Sequence, residues 1–156
     1  MDLSFCKDCF LFRDLDGDEL ALIGGLFVER TLPEGKTVFV EQMPGESLYL
    51  IREGTVRISR MLTETDEKTL VILGPEDVFG EMAILDGLPR AATARIIEAA
   101  SLLCLRKADF DALCLKRPAL GLKLMRNIIR VFSRRVRENS ADYRQMLIWA
   151  TEGTPK

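Results

Sequence analysis

The sequence predicts a mainly β domain with flanking helices: an antiparallel β-roll or jelly-roll barrel, an N-terminal helix, and C-terminal helices of which the last is long. Short stretches rich in β-branched and aromatic residues, separated by Gly or Pro, fill residues 28–106, as is typical of a small antiparallel barrel. Apolar residues at helical spacing occur at 16–26 and again from Lys107 onward. A chain of 156 residues is long enough to form one domain with a substantial core.

The N-terminal helix is predicted at 16–26, because Asp16 can cap it and Glu19, three residues later, completes a capping box. Strands alternate with turns after it, and Gly54 is expected to end one of them. The polar stretch 62–68 is predicted to be an exposed hairpin loop. The predicted strands cover residues 36–41, 47–53, 55–59, 69–73, 93–97 and 101–105.

Two helices are predicted to end the chain. The first covers 108–115, and Pro118 suits the first turn of the second. No Gly or Pro follows Gly121 before Ile148, so this second helix is expected to be long. The predicted divisions are an N-terminal segment at 1–11, the β-roll domain at 12–117, the long helix at 118–150 and a frayed tail at 151–156.

Two apolar stripes run along the long helix. One is a heptad seam formed by Leu122, Met125, Ile129, Phe132, Val136, Asn139, Tyr143 and Met146. The other is formed by Leu120, Leu124, Ile128 and Val131. A helix of about 45 Å (at about 1.5 Å per residue) cannot easily bury both stripes on one small barrel, so a homodimer through this helix is predicted. Burial of both stripes within one chain is the alternative.

Composition limits the possible functions. The formal net charge of −2 gives no overall attraction to nucleic acid or membranes, and no apolar run reaches the roughly 20 residues of a membrane span. No signal-peptide pattern is visible at the N-terminus, so a cytoplasmic location is expected. The sequence has no histidine and no evident nucleophile–base pair or metal cluster, so no enzyme activity, cofactor or metal is expected.

Four cysteines are present. Cys6 and Cys9 form a single CxxC pair, for which a redox couple or half of a metal site is the functional reading. Two reduced thiols are the favoured interpretation, because no second CxxC accompanies them. Cys104 and Cys114 lie in apolar patterns and are predicted to be core residues.

Residues 79–94, with the sequence FGEMAILDGLPRAATA, contain groups suited to a cyclic phosphate. Gly80 lets the backbone approach a ligand closely, and a short run of helix formers begins at Glu81, where opening amides point at an anion. Arg90 follows nine residues later, and a guanidinium can bind two phosphate oxygens at once.

Over residues 12 to about 140, the barrel and this motif resemble the cyclic-nucleotide-binding domain family, including the regulatory subunit of cyclic-AMP-dependent protein kinase and the sensor domain of catabolite activator protein. The resemblance is strongest at 79–85 and 89–94, which match the phosphate-binding cassette of that family. In one departure, Glu76 stands where the family often has glycine.

The resemblance implies a role for each matching residue. Arg90 would bind the equatorial oxygen of the cyclic phosphate, and Glu81 would accept a hydrogen bond from the ribose 2′-hydroxyl. Ala91 stands where a hydroxyl residue tends to favour cyclic GMP, so cyclic AMP is the implied ligand. The implied ligand-binding residues are Gly80, Glu81, Met82, Ala83, Arg90, Ala91, Ala92, Val71 and Leu73, with amides around Met82, Ala83 and Ala92 cradling the phosphate and Val71 and Leu73 lining the base pocket.

The family often caps the base with a residue of the C-terminal helix. Arg134 and Arg135 are the candidates here, through stacking on the purine. The alternative is that they belong to a solvated basic stripe formed by Arg126, Arg130, Arg134 and Arg137.

Together these features predict a stand-alone cyclic nucleotide sensor that prefers cyclic AMP and signals through its C-terminal helix to a homodimer partner or an unknown effector. One alternative is a transcription regulator of the catabolite activator type that lacks, or is separated from, its DNA-binding domain. Because little sequence follows the long helix, nucleic acid is not an expected partner of this chain, and neither is a membrane. The second alternative is an iron–sulfur redox sensor built on Cys6 and Cys9.

Overall fold

The computed structural model describes residues 3–6 and 9–152. Within them, two short 3-10 turns at Ser4–Cys6 and Phe10–Phe12 precede the regular elements. The helices and strands are α1 (Gly17–Gly24), β1 (Val28–Leu32), β2 (Thr37–Phe39), β3 (Ser47–Met61), β4 (Glu67–Leu73), β5 (Val78–Phe79), α2 (Glu81–Asp86), β6 (Thr93–Arg106), α3 (Lys107–Lys116) and α4 (Pro118–Glu152). The predicted mainly β fold with a long final helix is confirmed.

The described strands form one antiparallel sheet. Its main path is β1-β6-β3-β4, and the short strands β2 and β5 pair with β6 and β3. β3 and β6 are 15 and 14 residues long, so each long strand replaces two predicted short ones. Their length lets them bend around the core and form both walls of the roll.

Gly54 explains why β3 is one strand and not the two that were predicted. It has φ +86°, and a Cβ at this position would lie 2.3 Å from the Ala99 carbonyl oxygen. The glycine therefore allows a close approach of β3 to β6, with shifts of register on either side, and the chain continues as one strand. The prediction that Gly54 ends a strand is wrong, because glycine occurs in β-bulges within a strand as well as in turns.

Two other strand limits differ from the prediction. β2 is only three residues long, whereas the predicted strand covers 36–41, and Val40 lies beyond its end with 48 % exposure. β4 begins at Glu67, inside the predicted loop at 62–68, because the pairing of β4 with β3 extends to Met61.

The buried residues form two clusters. One lies inside the roll and includes Ile96 and Leu102. The other joins the sheet to the N-terminal segment, α3 and α4. The second apolar stripe of α4 packs on the roll: its members Leu120, Leu124, Ile128 and Val131 are at most 3 % exposed.

Part of the heptad seam of α4 is exposed in the described chain, although Met125 packs against the core. Leu122, Ile129 and Val136 are 53 %, 47 % and 47 % exposed. The side chains of Tyr143 and Met146, also predicted for this seam, lie outside the described residues. α4 has 35 residues and extends to Glu152, two residues beyond its predicted end. Over the described part of the chain, every helix is too short or too polar to cross a membrane.

Candidate ligand-binding site

A cavity of about 480 Å³ lies between the roll, the cassette at residues 79–94 and α4. All eleven residues predicted for ligand binding or the base cap contribute to its wall. They are Val71, Leu73, Gly80, Glu81, Met82, Ala83, Arg90, Ala91, Ala92, Arg134 and Arg135. The structure therefore brings the predicted residues together, and their binding of a ligand stays a prediction.

The cassette turns sharply at Gly80 before α2 begins. Gly80 has φ +73°, and a Cβ there would lie 2.7 Å from Nη1 of Arg90 and 3.1 Å from the Ser47 carbonyl oxygen. A larger residue would be strained by this backbone conformation and would displace the arginine. The glycine thus lets the cassette close over Arg90.

Arg90 is a buried cation with unused hydrogen-bond donors. The residue is 5 % exposed, and its Nη1 donates to the Gly80 carbonyl oxygen over 3.1 Å. Its Nε is buried without a hydrogen-bond partner, and none of the ion pairs among the described residues includes it. Buried charges are normally paired, so this environment favours a bound anion.

Aromatic rings surround the Arg90 guanidinium. Its central carbon lies 4.0 Å from the Phe39 ring centre and 5.9 Å from that of Tyr49, and Tyr49 stacks on Phe79 at 5.1 Å. Burial lowers the pKa of Arg90, and the nearby Tyr49 opposes that shift. The rings fix the guanidinium by cation–π contact while leaving its donors free.

Gly45 packs directly behind this arginine. A Cβ on Gly45 would lie 2.5 Å from the Ala83 Cβ and 3.1 Å from the Arg90 Nε. Backbone hydrogen bonds tie the same loop to the cassette: the Arg90 N–H donates to the Met43 oxygen and the Gln42 N–H donates to the Arg90 oxygen, each over 2.8 Å.

The residues around Arg90 that were not predicted from the sequence include Phe39, Tyr49 and Gly45. From the sequence alone, the two aromatic residues indicate only that the segments around them form strands. Gly45 lies in a Pro-Gly turn, and the turn pattern does not reveal that it packs against the cassette.

Glu81 and Arg135 form an ion pair across the cavity wall. Nη1 of Arg135 lies 3.3 Å and 3.4 Å from the two carboxylate oxygens, and its Nη2 donates to the Val78 carbonyl oxygen. Arg134 instead lies over Phe10, 4.5 Å from the ring centre. Base stacking by either arginine stays a prediction.

Much of the cavity wall is apolar. Leu73 is 4 % exposed and Val71 is 37 % exposed, and both line the wall together with Ile58. α4 contributes Phe132 and Val136 to the same wall. A flat, mainly apolar ring system suits such a surface.

The cysteines show no sign of a metal centre. Within residues 3–6 and 9–152, no group of three or more Cys, Asp or Glu side chains is close enough to hold a metal ion. Cys9, Cys104 and Cys114 are thiols outside any disulfide, and the Cys6 thiol donates to the Leu3 oxygen over 3.3 Å. The Cys9 thiol donates to the Glu76 oxygen over 3.3 Å, and burial raises its pKa to about 11, so it is not a thiolate at neutral pH.

Comparison with known proteins gives one family. The family model described as the cyclic nucleotide-binding domain matches residues 29–117. The chain is 37 % identical over 128 residues to the Cyclic AMP receptor protein of Thermus thermophilus, and the match covers 82 % of this chain and 57 % of that relative. The chain thus spans little more than half the length of that protein.

Two solved structures show the same fold. The crystal structure of Thermus thermophilus Catabolite Activator Protein superposes with a TM-score of 0.76 at 31 % identity, covering 93 % of this chain and 72 % of the other. The regulatory domain of Toxoplasma gondii PKA, crystallised with cAMP, gives a TM-score of 0.64 at 31 % identity, covering 69 % and 41 %.

Proposed function

The chain belongs to the cyclic nucleotide-binding domain family, and we propose that it is a non-catalytic sensor that binds cyclic AMP in this cavity and signals through α4. The observation that carries the proposal is Arg90: a buried guanidinium with an unpartnered Nε, at the position where the resemblance implies a contact with the cyclic phosphate. An anion in the cavity would satisfy both its charge and its unused donors.

The rest of the cassette complements a ribose cyclic phosphate. Glu81 presents a buried carboxylate to the cavity, where it would accept the 2′-hydroxyl. The backbone amides around Met82, Ala83 and Ala92 would add hydrogen bonds to the phosphate, since these residues also line the cavity.

Adenine is the proposed base. Ala91 provides no hydroxyl for the guanine edge, and the surrounding wall includes Val71 and Leu73. Two similar proteins support this choice, since one is named a cyclic AMP receptor and another was crystallised with cAMP.

The output is proposed to pass through a homodimer. The exposed seam residues Leu122 and Ile129 offer an apolar face to a second copy of α4. Phe132, Val136 and Asn139 belong to the same seam and also line the cavity. Ligand contacts and partner contacts would thus share one helix, and occupation of the cavity would alter the seam.

Isothermal titration calorimetry of the purified chain tests this function. Separate titrations use cyclic AMP, cyclic GMP, cyclic di-AMP and inorganic phosphate. Cyclic AMP should bind most tightly, with one ligand per chain, and phosphate alone should bind far more weakly. Absence of binding by every cyclic nucleotide would contradict the proposal.

A second candidate is a regulator that itself binds duplex DNA, favoured by the similarity to Thermus thermophilus Catabolite Activator Protein. An electrophoretic mobility assay with duplex DNA separates the two. DNA binding that appears with cyclic AMP and weakens steeply with salt would favour this candidate, whereas a sensor with a protein effector should leave the DNA unshifted.

A further inference from the structure

Two arginines lie side by side on the sheet, outside the wall of the cavity. Arg57 of β3 is directly opposite Arg95 of β6, and Arg95 is opposite Thr37 of β2. The next residue on β3, Ile58, lines the cavity, and successive side chains of a strand point to opposite faces. Arg57 therefore belongs to the other face of the sheet. Like charges directly opposite each other on neighbouring strands repel, so this face carries a local positive charge.

One carboxylate lies between the two arginines without satisfying them. Oε2 of Glu67 is 3.6 Å from Nη2 of Arg57 and 3.8 Å from Nη1 of Arg95, and both distances are too long for a hydrogen bond. Its Oε1 accepts a hydrogen bond from the Ser59 hydroxyl. That bond, followed by the charges of Arg57 and Arg95, lowers the pKa of Glu67, so the carboxylate is ionised at neutral pH.

The arginine pair has more charge and more donors than Glu67 uses. Two guanidinium groups against one carboxylate leave one positive charge, and Nε of Arg57 is buried without a hydrogen-bond partner. The side chains of Arg57, Glu67 and Arg95 are 29 %, 31 % and 38 % exposed, so a group from solvent can reach them. A second carboxylate would neutralise the remaining charge and accept the hydrogen bonds that guanidinium groups form best.

We propose that Arg57 and Arg95 form a docking site for an acidic segment of a partner protein, with one of its carboxylates bound to both guanidinium groups. The site lies on a partly exposed face of the sheet, and arginine is enriched where proteins meet. Its charge favours a partner with Asp or Glu side chains over a basic one. Glu67 is then a competing carboxylate within the chain. The site goes beyond the proposed function, because it gives the sensor a contact with an effector that does not involve α4.

Calorimetry with a hexaglutamate peptide at low ionic strength tests this site. The proteins compared are wild type, Arg57→Gln, Arg95→Gln and Glu67→Gln. Arg52→Gln and Glu29→Gln are the matched controls. Arg52 is also on β3 and pairs with Glu29 over 3.3 Å, with side chains 39 % and 38 % exposed, so the controls make the same charge changes at a separate ion pair.

The two site arginines should matter and the control arginine should not. Arg57→Gln and Arg95→Gln should each weaken peptide binding by about threefold to tenfold, as expected for charged hydrogen bonds partly exposed to water. Glu67→Gln should strengthen binding, because it removes the competing carboxylate. Arg52→Gln and Glu29→Gln should bind within about twofold of wild type. Urea denaturation shows which variants fold, and Arg95→Gln provides the comparison if Arg57→Gln does not.

Several results would overturn the docking site. One is equal peptide affinity of wild type, Arg57→Gln and Arg95→Gln, and another is an equal gain in Glu67→Gln and Glu29→Gln, which would reflect net charge alone. Loss of peptide binding in Arg90→Ala would place the peptide in the cavity instead.

Inorganic pyrophosphate is the second probe. If it bound at Arg57 and Arg95 and hexaglutamate did not, the site would take a phosphate and not an acidic segment, and the proposal would be wrong. None of these measurements uses cyclic AMP, so failure of the docking site and failure of the proposed function are distinguishable.

Discussion

The central guanidinium carbon of Arg90 lies 4.0 Å from the centre of the Phe39 ring, and its side-chain hydrogen bond goes to the Gly80 carbonyl oxygen and not to a carboxylate. The ring holds the cation by a contact that uses none of its N–H donors. A buried arginine is thereby prepared for an anion before one arrives. This preorganisation lowers the ordering cost of binding.

Gly45→Ala should lower both the free energy of unfolding and the affinity for cyclic AMP. The new Cβ would lie 2.5 Å from the Ala83 Cβ, and overpacking of this kind costs about 1–3 kcal/mol. Because Arg90 is the second group in the way, the affinity for cyclic AMP should fall as well. Chemical denaturation and calorimetry measure the two effects. Gly74→Ala is the control, since its Cβ would meet nothing within 4 Å, and equal behaviour of the two variants would contradict the packing argument.

Ile129→Glu should convert a dimer to a monomer. Ile129 is 47 % exposed within one chain, so the charge costs little in the monomer, but in a paired seam it would be buried without a partner. Light scattering after size-exclusion chromatography measures the mass. Arg137→Glu, on the exposed surface away from the seam, should leave the mass unchanged. A wild-type mass equal to that of one chain would contradict the proposed homodimer.

Asn127→Ala should lower the free energy of unfolding by about 1–3 kcal/mol, the cost of leaving buried polar groups unpaired. Nδ2 of Asn127 donates to the carbonyl oxygens of Leu11 and Arg13, over 3.0 Å and 2.7 Å, and the side chain is buried. It ties the N-terminal segment to α4. Urea denaturation should show the loss, whereas Ser140→Ala, on the exposed part of α4, should change stability by less than about 0.5 kcal/mol. Equal midpoints for the two variants would refute this role.

Because of Cys9, the free energy of unfolding should fall as the pH rises from 9 to 11. Burial raises the pKa of its thiol from 9.0 to about 11, so in this range the unfolded chain loses the proton while the folded chain keeps it. The stability contribution is fully present below pH 9 and declines as the pH rises toward 11. Urea midpoints measured with reductant at several pH values should fall more steeply for wild type than for Cys9→Ala. If the urea midpoints of wild type and Cys9→Ala changed equally with pH, Cys9 would not contribute to the pH dependence of stability.

The parts of the site that were predictable are local in sequence. Gly80, Glu81 and Arg90 fall within one short segment, where the resemblance to the phosphate-binding cassette is strongest, so the sequence could place them at one site. Arg135 was predicted to face the ligand through the base, and its contact with Glu81 could not be predicted. That contact depends on the angle at which α4 crosses the cassette, which no short pattern encodes.

The roll was predictable in class but not in its strand limits. Alternation of apolar residues and turn residues indicated an antiparallel barrel. Gly54 was interpreted as a strand end, because its use as a bulge depends on the close approach of Ala99 and Ala100 on another strand. Phe39 and Tyr49 likewise gain their role only when β2 and β3 meet around Arg90.

Calorimetry of cyclic AMP binding to wild type, Arg90→Ala and Arg95→Ala tests the central claim most directly. Arg95 is the matched control, because it is a partly exposed arginine that pairs with Glu67 and does not line the cavity. Arg90→Ala should weaken binding by about a hundredfold or more, as expected when a buried charged partner is removed, while Arg95→Ala should bind within about threefold of wild type. Equal affinity of wild type and Arg90→Ala would contradict the assignment of this cavity to a cyclic phosphate.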